Sequence, residues 1–354
     1  MTSGRRRGYP VRGEFHCWND THPAKPNGAE LPKKHDPVIT HIIRHCGDLK
    51  AGEKVAVIGD PRTAEITRRF ASICRDLGGL VTMALLAEVA PCHGAEPDAA
   101  AAEAMRSSDL IFGLTWFSMA HTKARLSAAQ NGGRYLSLPQ YTEQMLEHPA
   151  LMVDYRSLTP PQIKIAQALT AGKSLRFTTS SGSDVSLDIT GRDANFCPGF
   201  LDDRCRLASP PDMEVNVSPI EEATEGLFVV DGSVALDDIA CLDKPIYMKL
   251  EKGACTAIYG DDSRMVAKIE NIFREAGNGA ARIVGEFGLG FNPAAQPCGN
   301  MLLDEGSFGC VHLGFGSNST MGGKNSIAFH LDFIARSVTV EIDGRLYMRD
   351  GQCL

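Results

Sequence analysis

Histidines and acidic residues recur inside apolar, glycine-rich segments over the last third of this chain. Glu286 sits in Val284-Gly285-Glu286-Phe287-Gly288-Leu289-Gly290, and His312 in Val311-His312-Leu313-Gly314-Phe315-Gly316. His330 and Asp332 sit in Phe329-His330-Leu331-Asp332-Phe333, and Asp304 and Glu305 follow Leu303. Imidazoles and carboxylates are the donors that hold Zn, Co, Mn or Fe, and their apolar flanks place them inside the protein. A buried carboxylate or imidazole is costly unless paired, and a divalent cation is its strongest partner. The expectation is a metalloenzyme.

His330 and Asp332 are two apart in a strand-like run, so both project from one face while Leu331 and Phe333 point into packing. His312 lies in a similar run, with Gly314 and Gly316 leaving room for close approach. Glu286 lies between Gly285 and Gly288. Glu221 and Glu222 follow Asn216-Val217-Ser218-Pro219-Ile220, where a strand meets a proline-marked turn. Singly, each has a plainer reading. A lone His among apolar residues is more often a hydrogen-bonded core residue, and Asp304-Glu305 reads as a solvated turn with a supporting role open. Cys92 beside His93 and Cys310 near His312 read as structural thiols. Jointly, two histidines and three or four carboxylates match a dinuclear site better than a structural zinc, which draws on Cys and His.

The elements that must position these groups fall into two regions. Residues 1–35 are polar and rich in Pro, Gly and His, and read as an irregular arm containing His16, His22 and His35, for which a metal role is the minor reading. From residue 36 to 172, short apolar strands (54–59, 80–85, 109–114, 134–138) alternate with helical patterns (63–77, 99–105, 122–129, 152–171). That alternation implies βαβ units and a parallel, helix-covered sheet. Gly59-Asp60-Pro61-Arg62 follows the first strand, but no phosphate-binding glycine motif accompanies it. From 173 to 354 short strands and tight turns dominate, beginning with a hairpin around Ser180-Ser181-Gly182-Ser183. Only 262–276 is plainly helical there. The expected fold class is an α/β N-terminal domain with a parallel sheet, followed by a β-rich α+β metal-binding domain.

Composition bounds the setting. At 354 residues, 43% hydrophobic and 22% charged, the chain is an ordinary globular protein able to build two cores. A net charge of −7 argues against a nucleic-acid-binding surface. No apolar run is long enough for a membrane span, and no apolar stretch follows Arg5-Arg6-Arg7 to make a secretory signal. Eleven cysteines without Cys-x-x-Cys spacing suit reduced thiols in a cytoplasm.

The C-terminal motifs carry a resemblance. Glu286 to Pro293, Gly299 to Glu305, Val311 to Gly316 and Gly322-Gly323-Lys324 before His330-Leu331-Asp332-Phe333 look like the thermophilic-metalloprotease family. That family holds aminopeptidases T and S and leucyl-aminopeptidase-like relatives. His121-Thr122-Lys123-Ala124-Arg125, Tyr141 to Met145 and Gly182-Ser183-Asp184 resemble it more weakly, so the resemblance spans roughly residues 36–350. It implies two divalent metals (Zn, Co or Mn) held by Glu221 or its neighbour Glu222, Glu286, His312, His330 and Asp332. It also implies a homodimer. The family has a tyrosine soon after the His312 position, where this chain has Ser317-Asn318-Ser319-Thr320. A second branch of the superfamily resembles 2,5-dihydroxypyridine 5,6-dioxygenase, with one non-haem Fe(II) on the same scaffold. In that branch the Glu286 position is a histidine and the His312 position is apolar.

The expected function is metal-assisted hydrolysis of an amide-type bond in a peptide or a small, specialised amide or heterocycle. Glu286 and Glu222 are the expected catalytic carboxylates, with Glu222 moving the proton. Trp116, His121 and Arg125 are expected to bind substrate between the domains, with core packing as the plainer reading of Trp116. An Fe(II) ring-cleaving dioxygenase is the alternative, and a non-catalytic binding protein the second alternative.

Overall fold

The computed structural model describes residues 36–236, 239–277 and 279–354. The arm expected at 1–35, with His16, His22 and His35, lies outside the described residues.

Five strands form the first sheet in the order β2 (Leu80–Leu85), β1 (Lys54–Gly59), β3 (Leu110–Leu114), β4 (Arg134–Ser137) and β8 (Leu207–Ala208), all parallel. Val55, Ala56, Val57 and Ile58 are fully buried, as a strand covered on both faces requires. Helix α2 (Ala64–Asp76) buries Ile66, Phe70, Ala71 and Cys74, one stripe at helical spacing. Asp98 caps α3 (Ala99–Arg106) by accepting from Ala101 N at 2.8 Å, and Thr122 caps α4 (Lys123–Gln130) by accepting from Arg125 N at 3.2 Å. Helix α1 (Asp36–His41) runs into a π-helical turn over Ile42–Cys46.

The helix expected over 152–171 is shorter. A 3₁₀ turn occupies Pro149–Met152, and α5 spans Thr159–Ala171 with prolines in its first turn, where their missing N–H groups cost nothing.

Two antiparallel sheets make the second region. One runs β14 (Ala254–Gly260), β13 (Ile246–Glu251), β10 (Glu225–Val230), β6 (Asp184–Asp188), β5 (Ser174–Thr179), β18 (Val338–Ile342), β19 (Arg345–Arg349), β20 (Gln352–Cys353). The other runs β12 (Ala240–Cys241), β11 (Ser233–Val234), β17 (His330–Ala335), β16 (Val311–Gly316), β15 (Val284–Gly290), β9 (Glu214–Val217), β7 (Asn195–Cys197). Phe177 packs in the core against Phe228 and Phe287, its ring centroid 5.9 and 5.7 Å from theirs. Phe273 of α6 (Ser263–Glu275) packs against Phe315 and Phe333. The α/β region with its parallel sheet and the β-rich region are both present as expected. Strand β8 returns to the first sheet, so the change of character near 172 is cleaner in sequence than in space.

No helix among the described residues is long and apolar enough to cross a membrane, and the described cysteines are all free.

Candidate metal centre

Strands β9, β15, β16 and β17 lie side by side. Their period of two sends Val215, Val217, Phe287, Leu289, Leu313, Phe315, Leu331 and Phe333 into the core, where all are buried. The opposite face carries Glu214, Asn216, Glu286, His312, His330 and Asp332. Register then sets these against glycines: His312 stands opposite Gly288, Asp332 opposite Gly314 and His330 opposite Gly316. A Cβ at Gly288 would lie 2.0 Å from His312 Nε2, and one at Gly314 would lie 2.7 Å from His330 Nε2. The glycines are the space the imidazoles occupy.

The side chains form two overlapping triads, Glu214–Glu286–His312 and Glu286–His330–Asp332. His312 Nε2 is 3.1 Å from Glu214 Oε2 and 3.8 Å from Glu286 Oε1. His330 Nε2 is 3.0 Å from Glu286 Oε2 and 3.2 Å from Asp332 Oδ1. Glu286 thus turns one oxygen to each imidazole. Glu214, Glu286, His312 and Asp332 are buried, while the His330 side chain keeps 31% of its surface.

This donor set suits divalent cations. His330 Nδ1 lies 2.9 Å from Ser317 O, a carbonyl that can only accept, so Nδ1 carries the proton. In the neutral ring Nε2 then turns a lone pair toward two carboxylate oxygens, a repulsive arrangement until a cation or a proton lies between. Glu214 Oε2 and Asp332 Oδ1 are buried without a hydrogen-bond partner among the described residues. Burial opposes charge on both imidazoles. The carboxylates of Glu214 and Glu286 around His312, and of Asp332 and Glu286 around His330, overcome it and raise both pKa values well above the ordinary range. Burial likewise opposes the charged form of Glu286, but the two imidazoles hold its pKa far below that of an ordinary carboxylate.

Glu214 also belongs to a third group, Asp212–Glu214–Glu305. Burial, then Glu214, raises the Asp212 pKa well above the usual value; burial, then Asp332 and Glu214, does the same to Glu305.

The structure brings Glu286, His312, His330 and Asp332 together and does not bring Glu221 or Glu222 to them. Glu221 pairs with Arg192 at 2.7 Å and accepts from Lys324 N at 2.5 Å and Asn318 Nδ2 at 3.1 Å, tying the 318–324 loop down. Glu222 is exposed beside it. Beyond Val217 the chain leaves the strand face that carries the others, and Glu214, at the start of β9, lies with Glu286 and His312 instead. The signal for it lies in Glu214-Val215-Asn216-Val217, whose alternation puts Glu214 on the polar face. Asp304 and Glu305 are no solvated turn. They lie on the short helix α7 (Met301–Gly306), and Asp304 accepts from Cys298 N, Gly299 N and Ser233 Oγ. Burial pushes the Asp304 pKa up to about 6.

On the N-terminal side, Trp116 N donates to Asp60 Oδ2 at 2.5 Å, and the Arg62 guanidinium lies 4.1 Å from the Trp116 ring centre. Trp116 is 9% exposed, nearer to core packing than to an open wall. His121 is within electrostatic reach of His330 and Glu286. Its pKa is lowered by burial, then by Arg125 and His330. Arg125 Nε donates to Ala120 O at 2.5 Å.

Residues 37–354 match the family model described as 2,5-dihydroxypyridine 5,6-dioxygenase. The structure of 2,5-dihydroxypyridine dioxygenase from Pseudomonas putida KT2440 superposes with a TM-score of 0.78 at 18% identity, over 91% of this chain and 97% of that one. Wild-type AmpT from Thermus thermophilus superposes with a TM-score of 0.65 at 16% identity, over 90% and 98%. No curated protein matches the chain. The likenesses establish a fold shared by both kinds of protein.

Proposed function

The chain belongs to the 2,5-dihydroxypyridine 5,6-dioxygenase family, whose fold AmpT shares, and on that scaffold we propose, from the site rather than from the family, a dinuclear metal-dependent hydrolase acting on an amide-type bond. The observation that carries this reading is the sharing of Glu286 between two triads. Each triad offers one imidazole and two carboxylates. A mononuclear oxygenase iron is typically held by two imidazoles and one carboxylate, and neither triad has that composition.

In this reading Glu214 and His312 would hold one ion and His330 and Asp332 the other, with Glu286, common to both triads, available to each. Bound there, two divalent ions such as Zn, Co or Mn would lower the pKa of a shared water and polarise a carbonyl. Ser317 O fixes the His330 ring so that Nε2 faces the centre, and Gly288 and Gly314 keep both imidazoles close to the sheet. Glu305, grouped with Asp212 and Glu214, replaces Glu222 as the carboxyl proposed to move the proton. His121 forms part of the facing wall.

The family match favours a second reading, ring cleavage of a dihydroxylated heterocycle with one Fe(II). Metal analysis of protein purified without chelator, with an oxygen electrode and an amide-hydrolysis assay, separates the two. Two Zn, Co or Mn per chain and oxygen-independent amide cleavage support the hydrolase. One iron and stoichiometric O₂ uptake would overturn it in favour of the dioxygenase. A homodimer and a cytoplasmic setting belong to the same proposal and are tested by sedimentation and by fractionation.

A further inference from the structure

Five arginines among the described residues are partly or fully buried: Arg69, Arg125, Arg134, Arg192 and Arg282. Arg69 pairs with Asp36 and Glu143, Arg134 with Glu53, Arg192 with Glu221 and Arg282 with Glu270. Arg125 has no carboxylate partner among the described residues; its Nε donates to the Ala120 carbonyl. A half-buried guanidinium without an anion is unfavourable, because desolvation of the charge is not offset. Burial accordingly lowers the Arg125 pKa, with only Tyr135 acting in the other direction.

Tyr135 shows the same omission. Tyr141 Oη donates to Pro210 O at 2.6 Å and Tyr155 Oη to Ala150 O at 2.9 Å. Tyr135, 2% exposed, has a buried Oη with no partner among the described residues. That Oη lies over Gly113, where a Cβ would come within 1.9 Å of it. The nearby α4 N-terminus is already occupied, since Lys123 N and Ala124 N donate to Glu96 at 2.6 and 3.2 Å. What remains is the Tyr135 Oη, buried without a partner among the described residues, and the Arg125 guanidinium, which has no carboxylate there. The Tyr135 Oη over Gly113 and Arg125 in the first turn of α4 both lie toward the carboxyl end of β3, the end at which open parallel sheets bind ligands. His121, in the turn that leads into α4, lies within electrostatic reach of Arg125, His330 and Glu286.

We propose that Arg125 and Tyr135, with His121 beside them, form an anion subsite that takes a carboxylate of the substrate while its amide lies at the Glu286 centre. The substrate class is thus a carboxylate-bearing amide, a deduction that rests on the hydrolase reading. The sheet face carrying Glu214, Glu286 and Asp332 is rich in negative charge, so the arginine orients the substrate with its carboxylate away from that face. Planar bidentate geometry makes a carboxylate the best match to the guanidinium.

The test uses the full-length, Zn-loaded protein and binding rather than turnover. The probes are ω-amido acids with one to four methylenes, each compared with its uncharged diamide by calorimetry. At least one acid should bind about tenfold or more tighter than its diamide, the discrimination expected of a charge-assisted pair. Arg125→Gln should reduce that preference to within about twofold, and Arg125→Lys should restore part of it. Tyr135→Phe should weaken the acid alone and leave the ligand-free melting temperature unchanged, since its Oη has no protein partner to lose. Equal binding of acids and diamides, or a preference that survives Arg125→Gln, would overturn the subsite. An acid preference in a protein that cleaves no amide upholds the subsite and refutes the hydrolase reading.

Discussion

Gly288 of β15 stands directly opposite His312 of β16, and the space a Cβ would fill at Gly288 is occupied by the His312 imidazole. The ring reaches across the neighbouring strand, with Nε2 3.1 Å from Glu214 Oε2 and 3.8 Å from Glu286 Oε1.

Gly288→Ala should therefore displace His312 rather than merely crowd it. Overpacking of this kind costs about 1–3 kcal/mol. The expected result is a lower melting temperature and loss of about one metal per chain, measured by elemental analysis. Normal metal content would show that His312 has another way to reach the centre.

Glu214→Gln and Glu221→Gln should part company. The first removes a ligand charge and should reduce metal content and activity together. The second leaves the metal intact but abandons Arg192, whose side chain is only 8% exposed. Breaking such a pair costs roughly 3 kcal/mol. Equilibrium unfolding and metal analysis on both variants would reveal an exchange of these effects.

His330→Ala should lower the metal-free melting temperature, more at pH 6 than at pH 9, because it takes away the imidazole that faces the Glu286 and Asp332 carboxylates. Metal content should fall to about one per chain with activity lost, as read by elemental analysis and amide turnover. Retained activity with normal metal would contradict the assignment.

Removing metal should leave a protein that is less stable at high pH. The folded-state pKa values of His312 and His330 are raised. Their stabilisation is complete below the unfolded histidine pKa, near 6.5, and is lost as pH rises through the folded values. The raised carboxyls Asp212 and Glu305 act in the same direction, complete below about 4 and lost as pH rises through their folded values. Glu286 is depressed, so its contribution is present above about 4.5 and disappears only in strong acid. Between pH 6 and 9 the metal-free melting temperature should fall. The gap between metal-loaded and metal-free protein should widen, because metal displaces the same protons. A gap that narrows toward pH 9 would refute the ligand roles of the imidazoles.

Much of the centre is legible in the order of residues alone. His330-Leu331-Asp332 declares its shared face through the strand period, and the apolar neighbours of His312 and Glu286 declare burial. Alternating strands and helices from 54 to 138 announce the parallel sheet, since each βαβ unit is a local event. Expectation and structure diverge where local pattern is silent. Asp304-Glu305 has the composition of a turn, yet Cys298 N, Gly299 N and Ser233 Oγ draw Asp304 into the interior. Glu221 follows a strand as a ligand should, but Arg192 holds it elsewhere.

By itself the sequence determined the donor types, their faces and the two architectural regions, because period and composition are properties of neighbouring residues. Only the tertiary structure brings Glu214 rather than Glu221 beside Glu286 and His312, sets Glu286 in two triads, and leaves Arg125 without a carboxylate and the Tyr135 Oη without a hydrogen-bond partner among the described residues. Those facts depend on which strands pair and in what register, and cross-strand pairing joins residues far apart in the chain. A period of two tells a side chain which face to take, but not whom it will meet there.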